Sequence, residues 1–152
     1  MFKKIGLHPL FFFPVLTVVI FWPLSLQLFT VKNDALTYYY PVRTLISDAL
    51  NNYELPLWTP FINMGYPLHA DLQSGAWNPV IWLFGFFSTY SLGVFHSELL
   101  CYLALGGIGF YHLGSHFGWS KPVSLLLGLA YECSGPVIDS LQFTANHGHG
   151  GG

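Results

Sequence analysis

The chain has 152 residues, of which 53% are hydrophobic, 18% aromatic and only 8% charged. Soluble domains carry about a quarter charged residues, so a soluble fold of this composition would lack the polar groups its surface needs. The net charge of −2 excludes a basic surface for nucleic acid, and we expect no nucleic-acid partner. The composition therefore predicts an all-α integral membrane protein whose surface contacts membrane lipids.

The first long apolar run lies near the N-terminus. Residues 5–31 contain no Asp, Glu, Lys or Arg, and the part from 9 to 31 is long enough to cross a bilayer, which needs about 20 apolar residues. A cleaved signal peptide is the alternative, because Lys3 and Lys4 precede the run. Its apolar region would normally be only about 7–15 residues, followed by a small-residue cleavage site. We therefore predict that residues 1–31 form a cytoplasmic N-terminus and a retained first transmembrane helix.

The distribution of lysine and arginine predicts the orientation of the chain. The positive-inside rule places the two lysines before the first run in the cytoplasm, so the loop of residues 32–79 lies on the outer face. Lys121, on the next predicted cytoplasmic turn, supports this topology, whereas Lys32 and Arg43 oppose it. The sequence thus predicts a multi-pass protein of the cytoplasmic membrane.

The loop of residues 32–79 begins with an amphipathic helix. Apolar residues recur there at i, i+3, i+4, i+7 and i+8, the stripe of a helix that lies in the plane of the membrane surface. The residues of this stripe are Val42, Leu45, Ile46, Ala49 and Leu50. The residues expected on the opposite, polar face are Arg43, Thr44, Ser47, Asp48 and Asn51.

The second half of the same loop, residues 56–79, is rich in proline, glycine and aromatic residues. Its prolines and glycines exclude a long regular element, and its aromatic side chains suit the level of the lipid headgroups. An ordered interfacial loop explains these aromatics. It does not explain why Asp71 and His69 stand among them.

Residues 80–141 predict the remaining membrane segments. We expect a short interfacial or re-entrant piece at 80–87, a spanning helix from about residue 92 to 113, and a third apolar segment from 122 to 141. With the first run, this gives about three transmembrane helices. The glycines expected to permit close helix packing are Gly106, Gly107 and Gly109. Residues 142–152 are predicted to form an irregular tail.

Three carboxylates stand inside these apolar segments: Glu98, Glu132 and Asp139. An ionised carboxylate in a bilayer costs at least about 2 kcal/mol, so each is expected to face the interior of a helix bundle. Structural polar contacts and a substrate path are equally compatible with all three. His112 and His116 lie one helical turn apart but have no third ligand in the pattern, so we predict no metal site there.

Asp34 directly follows the first apolar run, on the predicted outer surface. At headgroup depth, a lipid phosphate–sugar bond and an aqueous acceptor can meet, and a carboxylate there can act as a general base. The alternative is an interfacial aspartate that caps the next helix. The residues alone leave both interpretations open.

Three segments resemble the bacterial YfhO-type membrane proteins. They are NDALTYYYPVRTLISDAL, LPLWTPFINMGYPLHADLQSGAWNPVIWL and LAYECSG, and their order and spacing are similar to the family's across residues 30–136. The family resembles polytopic glycosyltransferases of the GT-C type. These take sugars from polyprenyl-phosphate donors on the outer face of the cytoplasmic membrane, and YfhO-type proteins are associated with glycosylating cell-wall polymers such as teichoic acids.

The resemblance implies roles for six residues of the outer loop. Asp34 matches the acidic position next to the first helix, which implies a general base or a metal-organising carboxylate. Asp71 matches the second acidic position and is the other catalytic candidate. The implied substrate-binding residues are Tyr40, Arg43, His69 and Gln73. For Arg43, pairing with a donor phosphate and pairing with Asp48 or Asp34 are both open.

The resemblance also implies what the chain lacks. Family members have many more transmembrane helices, so we expect this chain to be the N-terminal part of a GT-C-like fold and inactive alone. The implied partners are a polyprenyl-phosphate-linked sugar and a cell-wall polymer or glycolipid acceptor. No cofactor is firmly implied, and a divalent metal ion is the candidate. The alternative is a non-enzymatic membrane protein, or a transporter component for lipid-linked substrates, that uses the three buried carboxylates.

Overall fold

The computed structural model describes residues 8–87, 90–134 and 143–145. These residues are mostly helical, with 66% of them in helices and few in strands. Within the described residues, one helix, Leu92–His116, is long and apolar enough to cross a membrane. The mostly helical character predicted from the sequence is confirmed, whereas about three such helices were predicted and one is observed.

The first apolar run does not form one helix. It contains helix α1 (Pro9–Ile20), the short helix α2 (Trp22–Ser25) and strand β1 (Phe29–Val31). At 1.5 Å per residue α1 is about 18 Å long, shorter than the roughly 30 Å hydrocarbon core of a bilayer. The single helix predicted from residue 9 to 31 is therefore wrong. Pro23 has no N–H to continue the helix, and Gln27 turns the chain at a φ of 57°.

The chain divides into two compact units. The first comprises Met1–Thr30 and Leu99–Gly152, and the second comprises Val31–Glu98. The boundary after Glu98 falls inside helix α5 (Leu92–His116).

Helices of the first unit, α1, the later part of α5 and α6 (Lys121–Glu132), approach one another closely at glycines. A Cβ atom on Gly107 would lie 2.7 Å from Phe13 Cδ1, and one on Gly128 would lie 2.4 Å from Phe13 Cζ. Real side-chain atoms cannot occupy such distances, so only glycine permits these contacts. Gly106 also lies against a neighbouring side chain, but Gly109 has no atom within 4 Å, so two of the three predicted packing glycines are confirmed.

The end of the chain differs in part from the prediction. Strand β2 (Phe143–Ala145) pairs with β1 in a two-stranded sheet, although residues 142–152 were predicted to be irregular. The predicted apolar segment from 122 to 141 contains α6, which ends at Glu132. The rest of that segment from residue 135 onward, including Asp139, lies outside the described residues, as do the other residues of the tail.

The second unit is built on the predicted amphipathic helix, α3 (Tyr40–Asn51), which follows a π-helical turn at Ala35–Tyr39. Helix α4 (Pro79–Phe87) packs along it. The core between them contains Val42, Ile46, Leu50, Leu68, Ala76 and Ile81. Three of these belong to the predicted apolar stripe, which is thus confirmed. The predicted segments at 80–87 and 92–113 correspond to α4 and α5.

The polar face predicted for α3 is partly wrong. Arg43 is only 9% exposed and Ser47 is fully buried. Ser47 Oγ donates a hydrogen bond to Gly85 O over 2.8 Å, and a Cβ on Gly85 would lie 3.3 Å from Ser47 Cα, so α4 crosses α3 at this point. Helix α3 is therefore covered on its polar side as well, where Arg43 and Ser47 find hydrogen-bond partners.

Candidate functional site

All six residues predicted to form the site lie in the second unit. Asp34 is exposed and stands at the start of the π-helical turn. Its side chain makes no capping hydrogen bond, so the helix-capping alternative is not what the structure shows. No described residue forms an ion pair with it either. The Asp34 carboxylate is therefore accessible, with both oxygens unengaged by the described part of the chain.

Asp71 is engaged instead with hydroxyl and amide groups. The Tyr38 hydroxyl donates to Asp71 Oδ2, and the backbone N–H of Gln73 donates to Oδ1 over 2.9 Å. The Tyr66 hydroxyl also hydrogen-bonds the carboxylate. Tyr38 comes from the turn before α3 and Tyr66 from the loop, so one carboxylate joins two segments that are far apart in sequence.

These contacts shift the acid–base properties of the three groups. The hydrogen bond from Tyr38 is the largest cause that holds the pKa of Asp71 below its usual value, against the opposing effect of burial. Burial, and then the bond to Asp71, raise the pKa of Tyr38 well above its usual value. The bond to Asp71 is also the main cause that raises the pKa of Tyr66. Asp71 is thus ionised and both phenols protonated at neutral pH.

This state bears on the two catalytic candidates. A general base works best when its pKa lies near the working pH, and hydrogen bonds that stabilise the carboxylate weaken it as a base. Asp71 is therefore suited to hold a hydroxyl group or a cation in place. Asp34 differs from Asp71 in that its oxygens are exposed and have no hydrogen-bond partner in the described residues, so an acceptor hydroxyl could reach them.

Arg43 lies at the centre of a buried network. Its Nε donates to Glu98 Oε1 over 3.2 Å, and its Nη1 donates to Ser74 O. The second oxygen of Glu98, which is 1% exposed, accepts from the Tyr90 hydroxyl. The Arg43 guanidinium also lies 5.9 Å from the centre of the Tyr39 ring, in the range of a cation–π contact. Arg43 therefore pairs with Glu98, and neither of the aspartates considered as its partners pairs with it in the described structure.

The remaining predicted residues have separate environments. Tyr40 packs against Phe95 and Tyr90, with ring centres 5.8 and 6.3 Å apart. His69 is exposed, and its Nδ1 lies 2.8 Å from Leu57 O. The side chain of Gln73 is exposed, and the residue meets Asp71 through its backbone N–H. His69 and Gln73 thus flank Asp71 on the accessible side of the loop.

The structure brings together most of the predicted site but not all of it. Asp71 and Gln73 belong to one turn, and Arg43 reaches that turn through the carbonyl of Ser74. Asp34 makes no contact of this kind with them in the described residues. The sequence-based prediction missed Tyr38, Tyr66, Tyr90 and the role of Ser74. A tyrosine gives no periodic signal that points to a carboxylate 33 residues away.

A bound metal would need several ligands in one place. In residues 8–87, 90–134 and 143–145, no group of three or more His, Cys, Asp or Glu side chains is arranged to hold one. A divalent ion at Asp71 would have the ionised carboxylate as its one charged ligand from this part of the chain.

Three comparisons were made with known proteins. No protein-family model, no curated protein and no solved structure matches this chain.

Proposed function

We propose that this chain is the N-terminal part of a GT-C-like membrane glycosyltransferase and is inactive alone. Its donor is a polyprenyl-phosphate-linked sugar and its acceptor a cell-wall polymer or a glycolipid at the outer face of the bacterial cytoplasmic membrane. The observation that carries the proposal is the exposed carboxylate of Asp34, free of partners in the described structure, directly after the apolar N-terminal segment. The motifs quoted from residues 30–136, which resemble those of the YfhO-type family, also motivate it, although no family model matches the chain.

The proposed reaction is an inverting displacement at the anomeric carbon of the sugar. Asp34 takes the proton of the acceptor hydroxyl as its oxygen forms the new glycosidic bond. The bond between the anomeric carbon and the phosphate oxygen breaks, and the polyprenyl phosphate leaves with the electron pair. Asp71, held as an anion by Tyr38, is proposed to orient the acceptor or the donor through a hydrogen bond.

A membrane location is supported by exposed apolar side chains on the first unit. Helix α1 exposes about half or more of five such side chains: Leu10, Phe11, Val15, Val18 and Val19. Only 33% of the most apolar stretch of α5 is buried, whereas the core helix of a soluble protein would be mostly buried. Lipid, or further helices of the whole protein, would cover these surfaces.

The test is Asp34→Asn in the protein expressed from its complete reading frame, with transfer of labelled sugar to polymer as the readout. Removal of a general base lowers transfer by about 10²–10⁴-fold, while insertion into the membrane is retained. The matched control is Asp48→Asn, an exposed aspartate on α3 in the same loop, which should leave transfer unchanged. Unchanged transfer in the Asp34 variant would remove the catalytic assignment.

A non-enzymatic role in moving lipid-linked substrates is the second candidate. It is favoured by Glu132, which is fully buried and has one carboxylate oxygen, Oε2, without a hydrogen-bond partner in the described structure. A transport role predicts that Glu132→Gln abolishes movement of the lipid-linked substrate across vesicles and that Asp34→Asn does not. The glycosyltransferase proposal predicts the reverse order of sensitivity.

A further inference from the structure

The turn of residues 71–76, which carries Asp71, contains no helix or strand, yet it is firmly held. Ser74 is fully buried, and its Oγ lies 2.7 Å from both Leu68 O and Asp71 O. The same oxygen accepts the backbone N–H of Ala76 over 3.1 Å. These bonds close the turn on itself, but none of them ties it to the helices of the unit.

Two side chains supply that tie. On α4, Trp82 Nε1 donates to Ala76 O over 2.5 Å, at the end of the turn. On α3, Arg43 Nη1 donates to the carbonyl of Ser74, three residues after Asp71, while its Nε is held by Glu98 on α5. The planar guanidinium directs its Nε–H and Nη1–H groups at two acceptors in a fixed geometry, which a lysine ammonium cannot reproduce. Because Glu98 balances the charge, the buried guanidinium can donate a second hydrogen bond to an uncharged carbonyl without leaving a net charge unpaired.

Gly75 shows how closely the turn lies against this side chain. Its φ is +64°, and a Cβ atom there would lie 2.7 Å from Ile81 Cδ1 and 3.4 Å from Arg43 Nη1. A side chain at this position would therefore collide with Ile81 and require an unfavourable backbone φ, while its contact with the guanidinium would be an ordinary van der Waals one. The turn and α3 meet without a gap.

A further attachment of the turn is the Asp71 carboxylate itself, which accepts from Tyr38. Tyr38 and Arg43 belong to one continuous helical segment, since the π-helical turn at Ala35–Tyr39 runs directly into α3. Tyr38 and Arg43, five residues apart on this segment, thus bind Asp71 and Ser74, which are three residues apart on the turn. If the Arg43 attachment is lost, Trp82 still holds the far end of the turn at Ala76, but the middle of the turn, next to Asp71, loses its bond to α3.

We infer that Arg43 is a positioning residue, which fixes the 71–76 turn and so holds the Asp71 carboxylate on the Tyr38 hydroxyl. A consequence of this positioning for catalysis rests on the proposed function. In the proposed glycosyltransferase, Arg43 acts through Asp71 and does not bind the donor phosphate itself. The contact geometry that supports the positioning is independent of any reaction.

The test measures the ionisation of the Tyr38 phenol in the 152-residue chain in detergent micelles, by NMR of tyrosine labelled at Cζ. In the unchanged chain Tyr38 titrates well above the ordinary tyrosine value. In Arg43→Gln, and in the double variant Arg43→Met/Glu98→Gln that leaves no unpaired buried charge, its pKa falls toward about 10, the value of a free tyrosine. If Arg43→Gln does not fold, the titration of Tyr38 is measured in the double variant alone.

Ser47→Ala is the matched control. It removes a buried hydrogen bond from the same helix, to Gly85 O on α4, and keeps the Arg43 contacts with Ser74 and Glu98, so it lowers stability and leaves the Tyr38 titration in place. An unchanged Tyr38 titration in the folded Arg43 variants, or an equal shift in Ser47→Ala, would overturn the inference. Because this readout needs no sugar transfer, its failure is distinguishable from failure of the proposed function.

A kinetic readout separates positioning from donor binding in the protein made from its complete reading frame. A positioning residue lowers kcat when it is changed and leaves the KM for the lipid-linked sugar nearly the same. A donor-binding residue raises that KM. A rise in donor KM with kcat unchanged in Arg43→Lys would therefore contradict the positioning role.

Discussion

Two glutamates of α5 and α6 are almost completely buried, and their surroundings differ. Glu98, in the second unit, is 1% exposed and receives hydrogen bonds from Arg43 on one oxygen and Tyr90 on the other. Glu132, in the first unit, is fully buried, and its Oε1 accepts from Thr17 Oγ1 over 2.9 Å. Its Oε2 has no hydrogen-bond partner among the described residues.

The difference teaches how each unit is held together. In the second unit a charged and fully engaged network joins α3, α5 and the 71–76 turn, so polar chemistry decides where the elements lie. In the first unit, glycines let α1, α5 and α6 approach, and a single hydroxyl accompanies the buried carboxyl. Loss of a charge should therefore damage the second unit, and addition of volume should damage the first.

The largest effect is expected for Glu98→Gln. The change leaves the buried Arg43 guanidinium without its counter-charge, and breaking one partner of a buried ion pair costs about 3–5 kcal/mol. The free energy of unfolding of the second unit, followed by hydrogen exchange of the α3 amides, measures it. Glu54→Gln, at an exposed position, is the control and should change little. A loss below about 1 kcal/mol would mean that the ion pair does not organise this unit.

The next largest effect is expected at the glycine contacts of the first unit. Gly107→Ala places a methyl group 2.5 Å from Glu132 Oε1 and 2.7 Å from Phe13 Cδ1. The side chains of Glu132 on α6 and Phe13 on α1 must therefore move away from α5. Overpacking of this kind costs about 1–3 kcal/mol, measurable by thermal unfolding in detergent. Gly109→Ala on the same helix meets no atom within 4 Å. Because alanine favours helix over glycine by up to about 1 kcal/mol, that control should be neutral or stabilising, and equal losses in both variants would refute the packing account.

A smaller effect is expected for Glu132→Gln. The glutamine carbonyl still accepts from the Thr17 hydroxyl, and no cationic partner is lost, so stability should change by less than about 1 kcal/mol. The comparison with Glu98→Gln, made by the same unfolding measurement, is the direct contrast between the two units. A cost as large as that of Glu98→Gln would show that Glu132 also has a charged partner.

The smallest expected effect is the pH dependence of the stability that the Asp71–Tyr38 contact gives to the second unit. The pKa of Asp71 is lowered in the fold, so its contribution to stability is present above its unfolded pKa of about 3.9 and is lost as pH falls through the folded value. The raised pKa of Tyr38 gives stability that is present below its unfolded pKa of about 10 and is lost as pH rises through the folded value.

Tyr38→Phe removes the stability contributed by both Asp71 and Tyr38. The free energy of unfolding of this variant is therefore compared with that of the unchanged chain at two pH values. The stability difference between Tyr38→Phe and the unchanged chain should be larger at about pH 6 than at about pH 2, because the contribution of the contact is lost as the pH falls through the lowered pKa of Asp71. Tyr53→Phe, at an exposed tyrosine, should show no such pH dependence. A difference that is the same at both pH values would contradict the Asp71–Tyr38 contact.

The sequence predicted the elements of the second unit better than their contacts. Periodicity located α3 and its apolar stripe because a buried face repeats every three to four residues. The same reasoning placed Arg43 on the polar face, since a residue pattern shows which side is polar but not that Glu98, 55 residues later, lies there to pair with it. The 33 residues between Tyr38 and Asp71 hid that contact in the same way.

The first unit shows the opposite limit of the sequence. Uniform hydrophobicity from residue 9 to 31 predicted one long helix, because composition reports the solvent that a segment prefers and not where its backbone turns. The break after α1 depends on local features at Pro23 and Gln27. Glu98 and Glu132 were indistinguishable in the sequence, and their different surroundings come entirely from tertiary structure.

The most direct test of the central claim, that this chain is the N-terminal part of a membrane glycosyltransferase, is to sequence the genomic locus beyond the codon for Gly152 in all frames. The account predicts coding sequence that continues with further apolar helices, which would supply the body of a GT-C-like site. A stop codon followed by no coding sequence for such helices would contradict it. The role proposed for Asp34 would then fall with the enzyme.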